Sequence, residues 1–285
     1  IVYPAHGAGS ACGKNMMKET VDILGNQKKM NYALRADMTK EEFIKEVTEG
    51  LMPPPTYFPL NVKMNKEGYE DIDSIIDRGI NPVSVLEFEK TANDSGAIIL
   101  DVRHQQDFAK GHIPKSIFIG LKGGFAPWVG TLIADVKQPI LLVVEKGKEE
   151  EAITRLSRVG FDNTIGYLEG GFSAWKESGN QIDKVTSISA QQFEIEIKNN
   201  DSVIFDVRKN SEYDNERIDS AINTPLDVIN NYLSDVPDEK NFYVHCAGGY
   251  RSMIAASILK SRGVHNLIEI KGGFKSIKET AIPIT

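Results

Sequence analysis

The chain repeats itself, and the repeat decides most of what it can fold into. Residues 97–103 read AIILDVR and return 105 positions later as SVIFDVR at 202–208. Phe108 and Ile113-Pro114-Lys115-Ser116-Ile117 are matched by Tyr213 and Ile218-Asp219-Ser220-Ala221-Ile222. The apolar run Pro139–Val144 is matched by Asn241–His245, and Gly170-Gly171-Phe172 by Gly272-Gly273-Phe274. Four blocks in one order define copies of domain size, too long for a solenoid repeat.

Within each copy, short β-branched runs alternate with helical patterns. In copy two, strands are expected over Val203–Val207, Phe242–His245 and Leu267–Ile270. Ser252–Arg262 places Met253, Ile254, Ile258 and Leu259 at helical spacing, and Gly263 follows as a stop. Continuous apolar strands between helices predict an α/β fold: three layers with a mostly parallel central sheet. The boundaries read as 82–180 and 183–285, with Asn180–Lys184 as the linker. Residues 1–81 differ: Lys14–Leu24 and Thr39–Gly50 look helical, Thr39 and Glu42 form a capping-box pattern, and Pro53-Pro54-Pro55 interrupts the chain.

Composition narrows the function classes. The 285 residues carry a formal net charge of −7, which argues against nucleic acid or an anionic membrane as the main partner. No run approaches the ~18 apolar residues of a membrane span. Cys12 and Cys246 are the two cysteines, too few for a disulfide framework, which suits a reducing, cytoplasmic setting. A start at Ile1-Val2-Tyr3-Pro4, without Met, reads as the C-terminal part of a longer protein.

Copy two places its cysteine where parallel sheets place active sites. The strand ends at His245, Cys246 follows, then Ala247-Gly248-Gly249-Tyr250-Arg251, then a helix. Adjacent glycines let backbone amides converge, and a helix N-terminus adds positive potential. A thiol in that cup is expected to exist largely as thiolate. Arg251 adds a fixed positive fork suited to an oxyanion.

These residues (DVR, INTP, HCAGGYRS and a late GGF) resemble the rhodanese, or sulfurtransferase, family across about 200 residues of the chain. The resemblance implies two tandem rhodanese-like domains and a cysteine that becomes a persulfide. Cys246 would carry the sulfur, the loop amides of Ala247, Gly248, Gly249, Tyr250 and Arg251 would hold it, and Arg251 would help bind an anionic donor. Asp206 and Arg208 fall on the DVR segment and read as scaffold. The family's GHIPGA stretch is replaced here by Glu216-Arg217-Ile218-Asp219-Ser220-Ala221. The implied partners are small-molecule sulfur donors and thiol acceptors, with no cofactor for these domains, no nucleic acid and no membrane; a homo-oligomer is left open. Two other readings stand beside it: a non-catalytic scaffold or regulatory module, and a cysteine phosphatase or arsenate reductase-like enzyme. The phosphatases' loops generally place five residues between Cys and Arg, against four here.

Copy one reads as inactive. Glu145 falls where Cys246 sits, and Glu149-Glu150-Glu151 suits the first turn of a helix. His104 and His112 read as structural or exposed.

VYPAHGAGSACGK, with Tyr57-Phe58-Pro59 further on, makes residues 1–81 similar to the closing, incomplete α/β segment of metallo-β-lactamase-fold proteins, nearest the persulfide dioxygenase and glyoxalase II branch. That resemblance implies Fe or Zn held by a region upstream of Ile1, with His6 as a ligand in the intact protein and Cys12 as a free thiol. The three-part order looks like the persulfide dioxygenase–rhodanese fusions of bacterial sulfide detoxification.

Overall fold

The computed structural model describes residues 1–4, 19–49, 57–198, 202–238 and 240–285. The chain divides into two compact units, Ile1–Pro54 and Pro55–Thr285.

In the first unit, of the helix expected over Lys14–Leu24 only Leu24 is helical among the described residues. Residues 14–18 lie outside the described residues, and 19–23 are not helical. Asp22 forms an antiparallel bridge with Val2, and its carboxylate accepts from the side-chain amides of Asn26 (2.9 Å) and Gln27 (2.6 Å). Asp22 is thus committed to a position ahead of the helix, which runs Leu24–Met30. The second helix spans Lys40–Thr48, and Thr39 and Glu42 do form the reciprocal capping box.

The second unit holds two five-stranded sheets in which every pairing is parallel. Copy one supplies β1 (Pro82–Val83), β2 (Ile98–Asp101), β3 (Ile117–Phe118), β4 (Ile140–Val143) and β5 (Thr164–Leu168). Copy two supplies β6 (Thr186–Ile188), β7 (Val203–Asp206), β8 (Ile222–Asn223), β9 (Phe242–His245) and β10 (Leu267–Ile270). The orders are β1-β5-β4-β2-β3 and β6-β10-β9-β7-β8, the same topology twice. The central strands β4 and β9 are buried at every residue, as parallel strands covered on both faces must be.

The two motifs that announced the repeat are halves of one brace. Arg208 grips the buried Asp206 through Nε (3.0 and 2.9 Å) and Nη2 (2.6 Å), donates to the Glu216 carbonyl at 2.7 Å, and lies 3.9 Å over the Phe274 ring. Arg103 repeats this on Asp101, the Gly111 carbonyl and the Phe172 ring. A buried carboxylate at a strand end needs such a fork, and the aromatic of the GGF segment closes over it. The divergent stretch around Ile218 keeps its role: Ile218 pairs with Ile284 as His112 pairs with Asp183.

Two expectations change. Residues 57–81 were grouped with the N-terminal piece, but they lie in the second unit. There Ile75 of the helix Ile72–Gly79 is buried in copy one's core, and the Tyr57 ring lies against Gly130. Asn180–Lys184 is no loose linker either. Asp183 exchanges two backbone hydrogen bonds with His112 (2.9 Å each), and Trp175 Nε1 donates to the Gln181 carbonyl at 2.9 Å.

The helix Tyr250–Ser261 sits between the copies. Residues Ser252–Lys260 are buried without interruption, because copy two's sheet covers one side and β3 of copy one the other. The Phe118 amide donates to Ser257 Oγ at 2.9 Å across that contact. A helix buried all round loses the polar face that an amphipathic one shows.

Candidate active site

At the end of β9 the chain turns through Cys246, Ala247 and Gly248 to Gly249, which enters the helix at φ +94°, a conformation open to glycine and strained for other residues. That turn aims the Gly249 N–H at Cys246 Sγ, 3.2 Å away. The loop's carbonyls are drawn off the other way: Phe274 N–H donates to the Cys246 carbonyl at 2.6 Å and Lys275 N–H to that of Ala247 at 3.1 Å. Cys246 is 1% exposed, yet its sulfur meets an amide and, at 3.6 Å, the Ser252 hydroxyl. Ala247 is half-buried and Gly248 exposed, so the outer turn of the loop faces solvent.

Arg251 is engaged differently from the expectation. Its two Nη atoms clasp both oxygens of Glu212, at 2.5 and 2.8 Å. The pairing holds the Glu212 carboxyl below the usual carboxylate range and pushes Arg251 up. Glu212 is also the N3 residue of the helix Asn210–Asn215 and accepts from the Lys209 amide at 3.2 Å. An incoming anion therefore has to compete with Glu212 for the guanidinium.

Tyr250, expected to contribute its amide, also sends its side chain into copy one. Its hydroxyl donates to the Gly120 carbonyl at 2.7 Å, and its ring meets Phe118 edge-on at 5.9 Å. Burial pushes the phenol up, so it remains a donor. Tyr250→Phe leaves that carbonyl without its donor and is expected to cost about 1–3 kcal/mol. Urea unfolding measures it.

A family model described as Rhodanese-like domain matches residues 84–178 and again 189–280. The chain belongs to the rhodanese family. This rhodanese is 31% identical over 104 residues to the tRNA uridine(34) hydroxylase of Buchnera aphidicola, covering 34% of this chain and 33% of that one. It is 30% identical over 82 residues to the thiosulfate sulfurtransferase GlpE of Coxiella burnetii, covering 29% and 77%. A metallo-beta-lactamase from Staphylococcus aureus subsp. aureus COL aligns at 24% identity with a TM-score of 0.44, covering 58% of this chain and 44% of that one. The chain spans between a third and somewhat over half of the length of several curated relatives it matches.

In the first rhodanese copy the strand register sets Val144, not the expected Glu145, at the place of Cys246, and Glu145 follows one residue on in a cavity of about 60 Å³ lined by Arg103, His104, Lys122, Lys148 and Glu151. It offers no thiol. His104 caps a helix by accepting from the Gln106 amide at 3.3 Å, and His112 stacks on Phe108 at 3.9 Å. His6 and Cys12 lie outside the described residues. Among the described residues no group of three or more His, Cys, Asp or Glu is placed to hold a metal ion. Among the described residues, too, no helix is long and apolar enough to cross a membrane.

Reading the sequence missed Glu212, His245 and Glu269. His245 is fully buried between the Cys246 carbonyl (3.5 Å from Nδ1) and Asp206 (3.8 Å from Nε2). Burial holds both His245 and His112 below the ordinary imidazole value. Each is neutral in the fold at a pH where the unfolded chain, at about 6.5, already takes up a proton. Stability is therefore lost as pH falls below about 6.5, until the folded-state values are reached. The unfolding free energy of wild type relative to His112→Gln is expected to shift against wild type between pH 7 and pH 5, read by urea titration.

Proposed function

We propose that this rhodanese is a sulfurtransferase that carries sulfane sulfur on Cys246 as a persulfide. In the loading step the thiolate attacks the outer sulfur of thiosulfate, a Cys–S–S⁻ bond forms, and sulfite leaves with the electron pair of the broken S–S bond. In the unloading step a thiolate or sulfite attacks the outer sulfur and Cys246 leaves as thiolate, giving a low-molecular-weight persulfide or thiosulfate. Both steps balance in atoms and charge and can run in reverse.

The observation that carries this reading is the sulfur held 3.2 Å from the Gly249 amide at the end of an inner parallel strand. An amide placed there is fixed before any charge arrives, so it stabilises a thiolate or persulfide without rearranging. The loop also has four residues between Cys246 and Arg251, a tighter cup than the phosphatases' five.

A wider proposal concerns the whole protein: an upstream metallo-β-lactamase-fold region with Fe or Zn, oxidising thiol persulfides in sulfide detoxification. It is supported by the likeness of the 2–14 stretch and Tyr57-Phe58-Pro59, and by the order of the three parts. Intact-mass measurement after incubation with thiosulfate tests the central claim. A gain of one sulfur atom, mapped to the Cys246 peptide, is expected; a wild type that gains none from thiosulfate or any thiol persulfide refutes it.

A further inference from the structure

The sulfur carrier has a second ionisable neighbour that the transfer steps above do not use. Glu269 lies in β10 and is 0% exposed. Its Oε1 accepts from Ser252 Oγ at 2.9 Å, and its Oε2 from the Ser187 hydroxyl of β6. Ser252 Oγ is in turn 3.6 Å from Cys246 Sγ, with the thiol as donor. Sulfur, hydroxyl and carboxyl thus form one buried chain of hydrogen bonds behind the Gly249 amide.

A buried carboxyl is costly to keep, and an inner parallel strand has no structural use for one. Copy one shows the contrast. By register Glu269 faces Val244 of β9 as Tyr167 faces Leu142 of β4. By the same register the copy with Val144 in place of the thiol has Tyr167 in place of the acid.

We propose that Glu269 takes the Cys246 proton through Ser252 when the sulfur becomes a nucleophile, and keeps it while the sulfur is charged. The thiol proton passes to Ser252 Oγ as the Ser252 proton passes to Glu269 Oε1. Cys246–SH and Glu269 carboxylate become Cys246 thiolate and Glu269 carboxylic acid, with nothing oxidised or reduced. Both ends of the exchange keep every hydrogen bond, since the hydroxyl reverses from acceptor to donor at sulfur.

The groups around the chain favour one shared proton. Ser187 and Ser252 hydrogen-bond Glu269, a Cβ at Gly249 would stand 3.5 Å from its Oε1, and Lys271 acts on it from just beyond β10. Burial outweighs these and pushes the Glu269 carboxyl up. Arg251, which closes the same loop, is already paired with Glu212, and burial holds His245 below the ordinary imidazole value. A carboxylate and a thiolate so close in a buried site oppose each other's charge.

This inference rests on Cys246 as carrier, and the test separates the two. In the full chain, alkylation by iodoacetamide is followed at the Cys246 peptide against pH. The wild type is expected to rise in two steps, and Glu269→Gln, which fits the same space but takes no proton, to lose the lower one. Ser252→Ala is expected to slow sulfur loading from thiosulfate at pH 6 about 100-fold, and the double variant no further, because both act on one path. An E269Q profile that superimposes on wild type, or a double variant that multiplies the two losses, overturns the relay. If E269Q does not fold, S252A decides alone: loading at the wild-type rate overturns the relay. A wild type that loads no sulfur but shows the two-step profile overturns the carrier reading and keeps the relay.

Discussion

Cys246→Ser is expected to take up no sulfur from thiosulfate and to release no sulfite from it, while folding as the wild type does. The substitution changes one atom. A serine oxygen still accepts from the Gly249 N–H, at 3.2 Å from the present sulfur, and still has the Ser252 hydroxyl beside it. The oxygen fills less space than sulfur in a site where Cys246 is 1% exposed, so the stability change is expected to stay within about 1 kcal/mol. The chemistry does not survive. Thiolate is the nucleophile in these exchanges, and a hydroxyl without an adjacent strong base is not ionised at neutral pH. The loss should be at least ~1,000-fold, as for nucleophiles acting within a positioned group. Sulfite release together with intact mass checks it. Turnover within tenfold of wild type in C246S would move the carrier to another atom.

The repeat, the α/β class and the cysteine loop were legible because each is written in consecutive residues. Buried parallel strands must be apolar throughout, so AIILDVR, PILLVV and NFYVH stand out from the amphipathic segments around them. What stayed hidden depends on contacts between distant residues. That Glu212 would occupy Arg251 from 39 positions away, or that Tyr250 would reach Gly120 across 130, has no local pattern. The helix Ile72–Gly79 read as part of the N-terminal piece, since nothing in its own residues says which sheet buries Ile75. Glu269 did leave a trace: one acidic residue inside the apolar run LIEI of an inner strand is an anomaly that a parallel-sheet reading could have questioned.

Tyr250 and Ser257 together explain how a copy without a thiol can serve the one that has it. Copy one offers the Gly120 carbonyl and the Phe118 ring to the residue that joins the cysteine loop to its helix. The same copy receives Ser257 on its edge strand β3, about two turns further along the same helical face. The helix that carries the site is thereby fixed from the side away from its own sheet, which a single copy could not provide.

Gly273→Ala should be among the most damaging glycine-to-alanine changes at the described residues. Gly273 has φ +56° and lies directly against the back of the cysteine loop. A Cβ there would overlap the Cys246 carbonyl oxygen and stand 2.9 Å from the carbonyl carbons of Cys246 and Ala247. These are backbone atoms and cannot rotate aside. They are also the groups held by Phe274 and Lys275 N–H, the bonds that turn the loop's carbonyls away from the sulfur. A methyl group must push the Cys246 peptide off its support or unwind the Gly273–Ile277 helix, and the left-handed backbone adds its own strain. The expected cost is about 2–4 kcal/mol of stability. Sulfur loading should fall by about 100-fold or more in the fraction that folds, since displacement of about 1 Å is enough for that. Gly248→Ala is the matched control: its Cβ would meet nothing within 4 Å, so both quantities should stay near wild type. Urea midpoints and single-turnover sulfite release measure the pair. If G273A matched G248A in both, the carbonyl-side support would have no part in holding the sulfur to its amide.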